Sequence, residues 1–438
     1  MIDPKDIELV RESLDMARQA GAEKARATLC RSEEDLVATL NGEVDRVTHC
    51  VDSSLSFALF ADGRFGSFST NKLDPASLRD FLESSVKTVR TISKDECRDL
   101  PDPRRCCSKA ITGDELGLTD CRRESMTPEE RLRMALDASV YRDGILSEEG
   151  EYSDSVYKTV VMDTDGVLCL HSETSFDYGV EITIEEDGEK YSGYWWDSAS
   201  HLDALDARSC GEKALARSRA QVGSGAVPGG RYNMVVDSEV ASKMVSPVLR
   251  ALNAFSIQQN NSFLVDSLGK RPFPEGLTIM DLPHIKGQTC SKLFDSEGVA
   301  TEETPIIRSG EVCEYFVNTY MSRKLGIAPT VEEATRPKVL PWPESGLGRS
   351  EILKICGNGI LVTDFNGGNS NPVTGDFSYG IEGFLFENGK VSRPVSGMLV
   401  TGNFLSLWKK LIAAGDDARD CMSKLIPTLA FADVDFSG

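Results

Sequence analysis

The sequence lacks the marks of a membrane, secreted or nucleic-acid-binding protein. Among its 438 residues no apolar run approaches the roughly 20 residues that a membrane-spanning helix needs. The first ten residues, MIDPKDIELV, carry acidic side chains where a secretion signal would be apolar. The net charge of −21 repels a phosphate backbone. These features predict an acidic cytoplasmic protein that binds neither a membrane nor nucleic acid directly.

Metal ligands are also scarce in the sequence. Only four histidines occur, at positions 49, 171, 201 and 284, and none is followed by another histidine four or five residues later. The sequence therefore carries no helical histidine pair of the kind that binds a catalytic zinc ion. The 12 cysteines are scattered without a Cys-x-x-Cys, which argues against a zinc ribbon and a thioredoxin-like site. We expect reduced, mostly buried thiols and no cofactor in this chain.

A glycine-rich linker divides the predicted elements into two groups. Residues 221–231, QVGSGAVPGGR, separate an N-terminal α+β domain (residues 1–222) from a strand-rich C-terminal domain (residues 223–438). In the first domain a helix, several strands with an Asp-Gly hairpin turn and a second helix occur twice, over about residues 1–92 and 126–220. The predicted fold class is α+β, with two mixed α/β halves and a large sheet in the C-terminal half.

The most distinctive stretch lies at residues 357–403, where short apolar runs alternate with glycines. Asn388-Gly389 predicts a type I′ hairpin turn, and a last helix is predicted after it over residues 405–413. The glycine-rich loop in between forms either tight turns in a β-rich domain or a backbone-lined groove that another chain can approach closely. Under the second interpretation the residues that contact a peptide or a partner are Gly367, Gly368, Asn369, Thr374, Gly375 and Asp376.

Four long motifs in the C-terminal half resemble the TldD/PmbA family, and within it the PmbA (TldE) branch. They are NNSFLVDSLGKRPFPEGLTI, LFDSEGVATEETPIIRSGEV, NTYMSRKLG and GILVTDFNGGNSNPVTGDFSYGIEGFLFENGKVSRPV. The resemblance implies an intracellular protein with two α+β halves, of a kind historically labelled a modulator of DNA gyrase. It also implies a two-subunit zinc metallopeptidase that acts on unfolded or flexible peptides.

The resemblance further implies how the two branches divide the chemistry. The TldD branch supplies a helix with H-E-x-x-x-H, and the PmbA branch lacks it. The corresponding helix here spans residues 236–252, where Ser246 and Ala251 replace the two histidines and Pro247 replaces the glutamate. The third zinc ligand of the family is a cysteine near the C-terminus. Cys421 lies in that region, but without histidine partners we assign it no metal role, and we expect zinc only in the partner subunit.

Two functions remain open from the sequence. In the first, the chain is the non-catalytic subunit of a TldD–TldE-type peptidase and holds a flexible peptide by backbone pairing, while an H-E-x-x-x-H partner cleaves it. In the second, the chain forms a homodimer that binds peptides or proteins and regulates a gyrase or a toxin without peptidase activity. The presence of an H-E-x-x-x-H homologue beside this chain favours the first.

Overall fold

The structure is a computed structural model and describes residues 2–438. Within these residues ten α-helices, α1 to α10, span Pro4–Gln19, Pro75–Val89, Arg122–Ser125, Pro128–Asp137, Ala207–Ala220, Ser242–Ala251, Ala254–Gln258, Thr319–Leu325, Arg349–Cys356 and Phe404–Trp408. Sixteen strands, β1 to β16, span Lys24–Leu40, Glu43–Ala61, Arg64–Thr70, Ser147–Asp163, Leu168–Glu186, Glu189–Ala199, Gly230–Val236, Ile279–Asp281, Thr304–Arg308, Glu311–Val312, Pro337–Val339, Gly359–Ser370, Asp376–Glu387, Lys390–Asn403, Leu411–Ala414 and Leu429–Ser437. The protein has the mixed α+β architecture that the sequence predicts.

The N-terminal half is built on one antiparallel sheet of six strands in the order β3-β2-β1-β4-β5-β6. A helix, three strands and a helix occur in this order as α1-β1-β2-β3-α2 and again as α4-β4-β5-β6-α5, and the pairing of β1 with β4 joins the two sets. Each set contains a hairpin turn with positive φ at both central residues, as a type I′ turn requires, at Asp62-Gly63 and Asp187-Gly188. The domain boundaries drawn from the sequence stay a prediction.

Helix caps fix where two of these helices begin. Asp74 accepts a hydrogen bond from the Ser77 N–H at the start of α2, and proline occupies the first turn. At the start of α4, Thr127 and Glu130 form a reciprocal capping box. The helices then bury their apolar faces on the sheet: α1 and α2 pack on one half, and α4 and α5 pack on the other.

The C-terminal half contains a second six-stranded sheet, in the order β14-β13-β12-β7-β16-β15, and a four-stranded sheet in the order β10-β9-β8-β11. Strands β7 and β12 run parallel, and the β13–β14 hairpin turns at Asn388-Gly389 with φ of 51° and 73°. One large apolar core lies between the sheets and α6, and it includes the fully buried Trp408. Within residues 2–438 no helix is both long enough and apolar enough to cross a membrane.

Two expectations from the sequence are wrong in detail. The predicted helix over residues 405–413 ends at Trp408, because the apolar run Leu411–Ala414 instead pairs as edge strand β15 with β16, where Ala413 and Ala414 are buried. The cysteines are all free, but only Cys107, Cys169, Cys210 and Cys356 are buried. Several others lie on strands and loops that reach solvent, so the expectation of mostly buried thiols does not hold.

Candidate functional site

The helix that the resemblance singles out is α6, Ser242–Ala251. Pro247 lies inside it and is buried, although an interior proline removes one helical hydrogen bond. Tertiary packing compensates for this loss, because the buried face of α6 belongs to the C-terminal core. That face consists of Met244, Val245, Pro247, Val248, Leu249 and Ala251.

The side chains at the three motif positions do not fit a zinc site. Zinc in proteins is bound by cysteine, histidine, aspartate or glutamate, and Ser246, Pro247 and Ala251 offer none of these groups. Cys421 does not supply a ligand in their place. One thiol cannot form the site alone, because zinc in proteins takes three or four protein ligands. No step of zinc chemistry is therefore assigned to this chain.

Two cavities share α6 as a wall. The first, which we call the glycine groove, has a volume of about 480 Å³ and separates α6 from β12. Lys243, Ser246, Pro247 and Arg250 line it from the helix, and Gly368, Asn369 and Ser370 line it from the strand. The second, which we call the central cavity, has a volume of about 1050 Å³ and separates the N-terminal sheet from the C-terminal half. Ser246 and Arg250 border both cavities.

The glycine-rich segment forms the end of the β12–β13 hairpin. The register between the two strands shifts between Asn366 and Asn369, and Gly367 and Gly368 take φ of 75° and 89° within this bulge. A Cβ atom on Gly368 would lie 2.1 Å from the backbone oxygen of Ser378. Glycine is therefore required at this point, and the structure places Gly368 and Asn369 on the wall of the glycine groove.

The other predicted residues of the loop contact each other and nearby parts of the same chain. The Thr374 hydroxyl donates to Asp376 Oδ2 at 2.7 Å and the Asn403 amide donates to Asp376 Oδ1 at 2.9 Å. These hydrogen bonds, with that from Asn403 the larger cause, lower the pKa of the Asp376 carboxyl. Gly375 has φ of 79°, and a Cβ atom there would lie 3.1 Å from the ring of Phe263. Contact of all six predicted residues with a peptide or a partner stays a prediction.

The central cavity brings together titratable groups that sequence reasoning did not connect. Burial, with the nearby charges of Glu332 and Glu297, raises the pKa of the Asp295 carboxyl to about 7. Opposite it on the N-terminal sheet, Nε2 of the buried His171 lies 3.5 Å from Oε2 of Glu173 without forming a hydrogen bond. For this wall the sequence offers the alternation of side chains along β4 and β5 and the pattern His171-Ser172-Glu173, and neither reveals what the other wall contributes.

A second cluster has the geometry to hold a cation. Within residues 2–438 the ligand atoms of Glu33, Asp35 and His49 form the one group of three or more that lie within 4.8 Å of one another. However, Arg123 Nη1 lies 2.6 Å from Glu33 and Nη2 lies 2.9 Å from Asp35, and Arg131 lies 3.1 Å from Asp35. Two guanidinium groups already neutralise these carboxylates, so the cluster is an ion-pair network and not a metal site.

Comparisons with known proteins agree with this architecture. The family model described as the PmbA/TldA metallopeptidase C-terminal domain matches residues 229–438, and the one described as the central domain matches residues 122–222. Metalloprotease PmbA of Escherichia coli O157:H7 is 27% identical to this chain over 443 residues, which cover 97% of this chain and 95% of that protein. The Metalloprotease PmbA homolog of Haemophilus influenzae is 26% identical, with 92% of this chain and 90% of that protein covered.

Solved structures extend the similarity to the whole chain. A protein of Bacteroides thetaiotaomicron, whose crystal structure is described as that of a candidate modulator of DNA gyrase, is 36% identical with a TM-score of 0.94, and all of both chains is covered. TldE of Thermococcus kodakarensis shares the fold, with a TM-score of 0.84 at 17% identity over 98% of this chain and 100% of that chain. The chain therefore belongs to the PmbA/TldD family of metallopeptidases.

Proposed function

We propose that this chain is the non-catalytic subunit of a two-chain, cytoplasmic peptidase of the family. A partner chain with H-E-x-x-x-H holds the zinc ion and cleaves, and this chain holds the flexible peptide. One observation carries the proposal. Helix α6 presents Ser246, Pro247 and Ala251 at the three motif positions, and yet it still forms a wall of both cavities.

The glycine groove supports a role in holding an extended peptide. In the bulge of β12, Gly367 and Gly368 have no pairing partner on β13, so the backbone of these two residues is not part of the β12–β13 pairing. Main-chain groups of this kind bind an extended chain with little dependence on its sequence. The groove also carries charges of both signs, from Glu239 and Asp364 as well as Lys243 and Arg250, which favours neither acidic nor basic peptides.

Reconstitution with the partner tests the proposal. The chain is coexpressed with an H-E-x-x-x-H homologue from its own genome, and the purified material is assayed for stoichiometry, zinc content and cleavage of an unstructured peptide. We expect equal amounts of the two chains, zinc in the pair but not in this chain alone, and cleavage only by the pair. A chain that binds zinc and cleaves alone contradicts the proposal. A chain that assembles only with itself and cleaves nothing is instead the homodimeric peptide-binding regulator.

A matched pair of variants tests the groove. Asn369→Trp places a bulky ring in the glycine groove, whereas Val391→Trp places the same ring at an exposed position on β14 outside the residues that line it. We expect the first variant to raise KM for the peptide several-fold with little change in assembly, and the second to leave KM unchanged. Equal KM values in both variants would exclude the groove as the peptide site. The subunit role would still be decided by the reconstitution experiment.

A further inference from the structure

One of the two acidic side chains that line the glycine groove is already paired. Glu239 lies within ion-pair distance of Arg217, and its Oε1 lies 3.6 Å from Nη1 of Arg419. Neither arginine lines the groove, and the Glu239 side chain is only 12% exposed. The carboxylate of Glu239 is therefore neutralised from behind, and it does not offset the positive charges inside the groove.

The two cations of the groove, in contrast, keep free charges. Within residues 2–438 neither Lys243 nor Arg250 lies within ion-pair distance of a carboxylate. Arg250 is exposed, and the Lys243 ammonium lies 4.6 Å from the centroid of the Tyr379 ring on the opposite wall. A cation–π contact of this kind holds the ammonium group in place without neutralising it. The helix wall of the groove thus carries two positive charges that no acid of this chain offsets.

The spacing of these residues puts both charges on one face of α6. Lys243, Ser246 and Arg250 stand at positions i, i+3 and i+7, which lie above one another on a helix. The Cα atoms of Lys243 and Arg250 are about 10 Å apart along the axis, since each residue rises by about 1.5 Å. Two long side chains can converge over that distance on one group, and Ser246 supplies a hydroxyl donor between them.

The strand wall of the groove has the opposite charge. Asp364 on β12 is exposed, and its Oδ1 accepts a hydrogen bond from the Phe365 N–H at 2.7 Å. A negative group in the groove is therefore repelled by the strand wall and attracted to the helix wall. This asymmetry singles out the face of α6 around Ser246 as the place for a negative group.

We propose that Lys243, Ser246 and Arg250 bind a carboxylate of the peptide, either its C-terminal group or an aspartate or glutamate side chain. The inference rests on the proposed function, because it places this carboxylate on a peptide held in the glycine groove. The ammonium, hydroxyl and guanidinium groups donate, and the carboxylate accepts. The groove as a whole has charges of both signs and does not sort peptides by net charge. The carboxylate site instead fixes where one negative group lies, and so sets the direction of the bound chain.

Binding of three forms of one peptide to the full-length chain tests the site. The peptide is unstructured and has no acidic side chain; it carries a free C-terminal carboxylate, a C-terminal amide, or the amide with one internal glutamate. Fluorescence anisotropy measures Kd. We expect the free carboxylate to bind roughly tenfold more tightly than the amide at low ionic strength. This preference should shrink as salt is added, because the site is partly exposed. Recovery of tight binding by the internal glutamate shows that side-chain carboxylates are accepted, and no recovery assigns the site to the C-terminus.

Matched double variants locate the preference on α6. Lys243→Gln with Arg250→Gln removes both cations of the groove. Arg208→Gln with Lys390→Gln removes two exposed cations that do not line it, and changes the net charge of the chain equally. We expect equal Kd values for the free carboxylate and the amide in the first variant, and the unmodified preference in the second. Lys243→Arg keeps the charge and should keep the preference. Circular dichroism checks that each variant is folded.

The outcomes that overturn the carboxylate site differ from those that overturn the proposed function. Equal Kd values for all three peptides in the unmodified chain overturn the site, while the peptide-holding role stands. A preference that survives Lys243→Gln with Arg250→Gln also overturns it, because the carboxylate then binds elsewhere. Failure of every peptide to bind overturns both the site and the peptide-holding role. Whether the chain is a subunit of a peptidase is still decided by reconstitution.

Discussion

Asp154 is the centre of a buried ion-pair network, and its substitution tests how much this network contributes to the free energy of unfolding. It lies on β4 and has no exposed surface. Arg131 donates to it twice, from Nε at 2.6 Å and from Nη2 at 2.9 Å. Arg123 Nε lies 3.0 Å from Asp154 Oδ1 as an ion pair, without the alignment of a hydrogen bond. Both arginine side chains are less than one-tenth exposed.

The expected cost of Asp154→Ala follows from what the two guanidinium groups would lose. Removing one partner of a buried ion pair leaves an uncompensated charge and costs about 3–5 kcal/mol. Arg123 keeps Glu33 and Asp35, and Arg131 keeps Asp35 at 3.1 Å, so the loss should lie near 3 kcal/mol, at the low end of that range. Because a folded domain is stabilised by only about 5–15 kcal/mol, this is a large fraction of the total.

Urea unfolding at neutral pH measures the effect as a change in the free energy of unfolding of the N-terminal half. Glu33→Gln is the matched control: it removes a carboxylate of the same network that is 42% exposed, and we expect a loss of about 1 kcal/mol or less. A double variant, Arg131→Met with Asp154→Leu, should recover part of the loss, since apolar groups can replace a buried ion pair. Equal, small losses for Asp154→Ala and Glu33→Gln would refute the reasoning.

Two further predictions concern the cavities. Gly368→Ala should lower the melting temperature more than Gly367→Ala. Both variants carry the strain of a positive φ, but only Gly368→Ala adds a Cβ atom that meets backbone, 2.1 Å from Ser378 O. Equal changes in melting temperature would contradict this. Asp295→Asn should change how stability depends on pH. The raised pKa of about 7 means that the favourable contribution of the protonated carboxyl is full below about pH 4 and is lost as the pH rises to 7. Thermal unfolding between pH 4 and 8 should therefore show that the melting temperature of the variant rises relative to that of the unmodified chain as the pH rises. Melting temperatures that differ by the same amount at every pH would contradict this prediction.

Much of the fold follows from local signals in the sequence. The Asn388-Gly389 and Asp187-Gly188 turns, the proline and aspartate at the start of α2 and the capping box of α4 each determine the backbone over a few residues. Such signals act within one turn of the chain, so they set the local backbone conformation regardless of the contacts with distant residues. The strand β15 was missed for the opposite reason. Its apolar residues have no β-specific pattern, and only the pairing with β16 makes them a strand.

The candidate site was less predictable than the fold. Gly368 and Asn369 could be singled out because glycines cluster in one segment, but their position beside α6 depends on the sheet order. The central cavity joins His171 on the N-terminal sheet to Asp295 in the C-terminal half. These residues are far apart in the sequence and share no motif. Burial by a distant part of the chain raises the pKa of Asp295, which no local pattern can report.

The position of helix α6 in the fold does not depend on a bound metal ion. The buried face of the helix packs in the C-terminal core, so its position depends on apolar contacts and not on a bound ion. Ser246 and Arg250 lie outside that buried face and still border both cavities. The apolar contacts therefore keep α6 as a wall of both cavities, although Ser246, Pro247 and Ala251 offer no zinc ligand. The proposed subunit role depends on this arrangement, in which α6 stays beside the cavities while another chain supplies the cleavage chemistry.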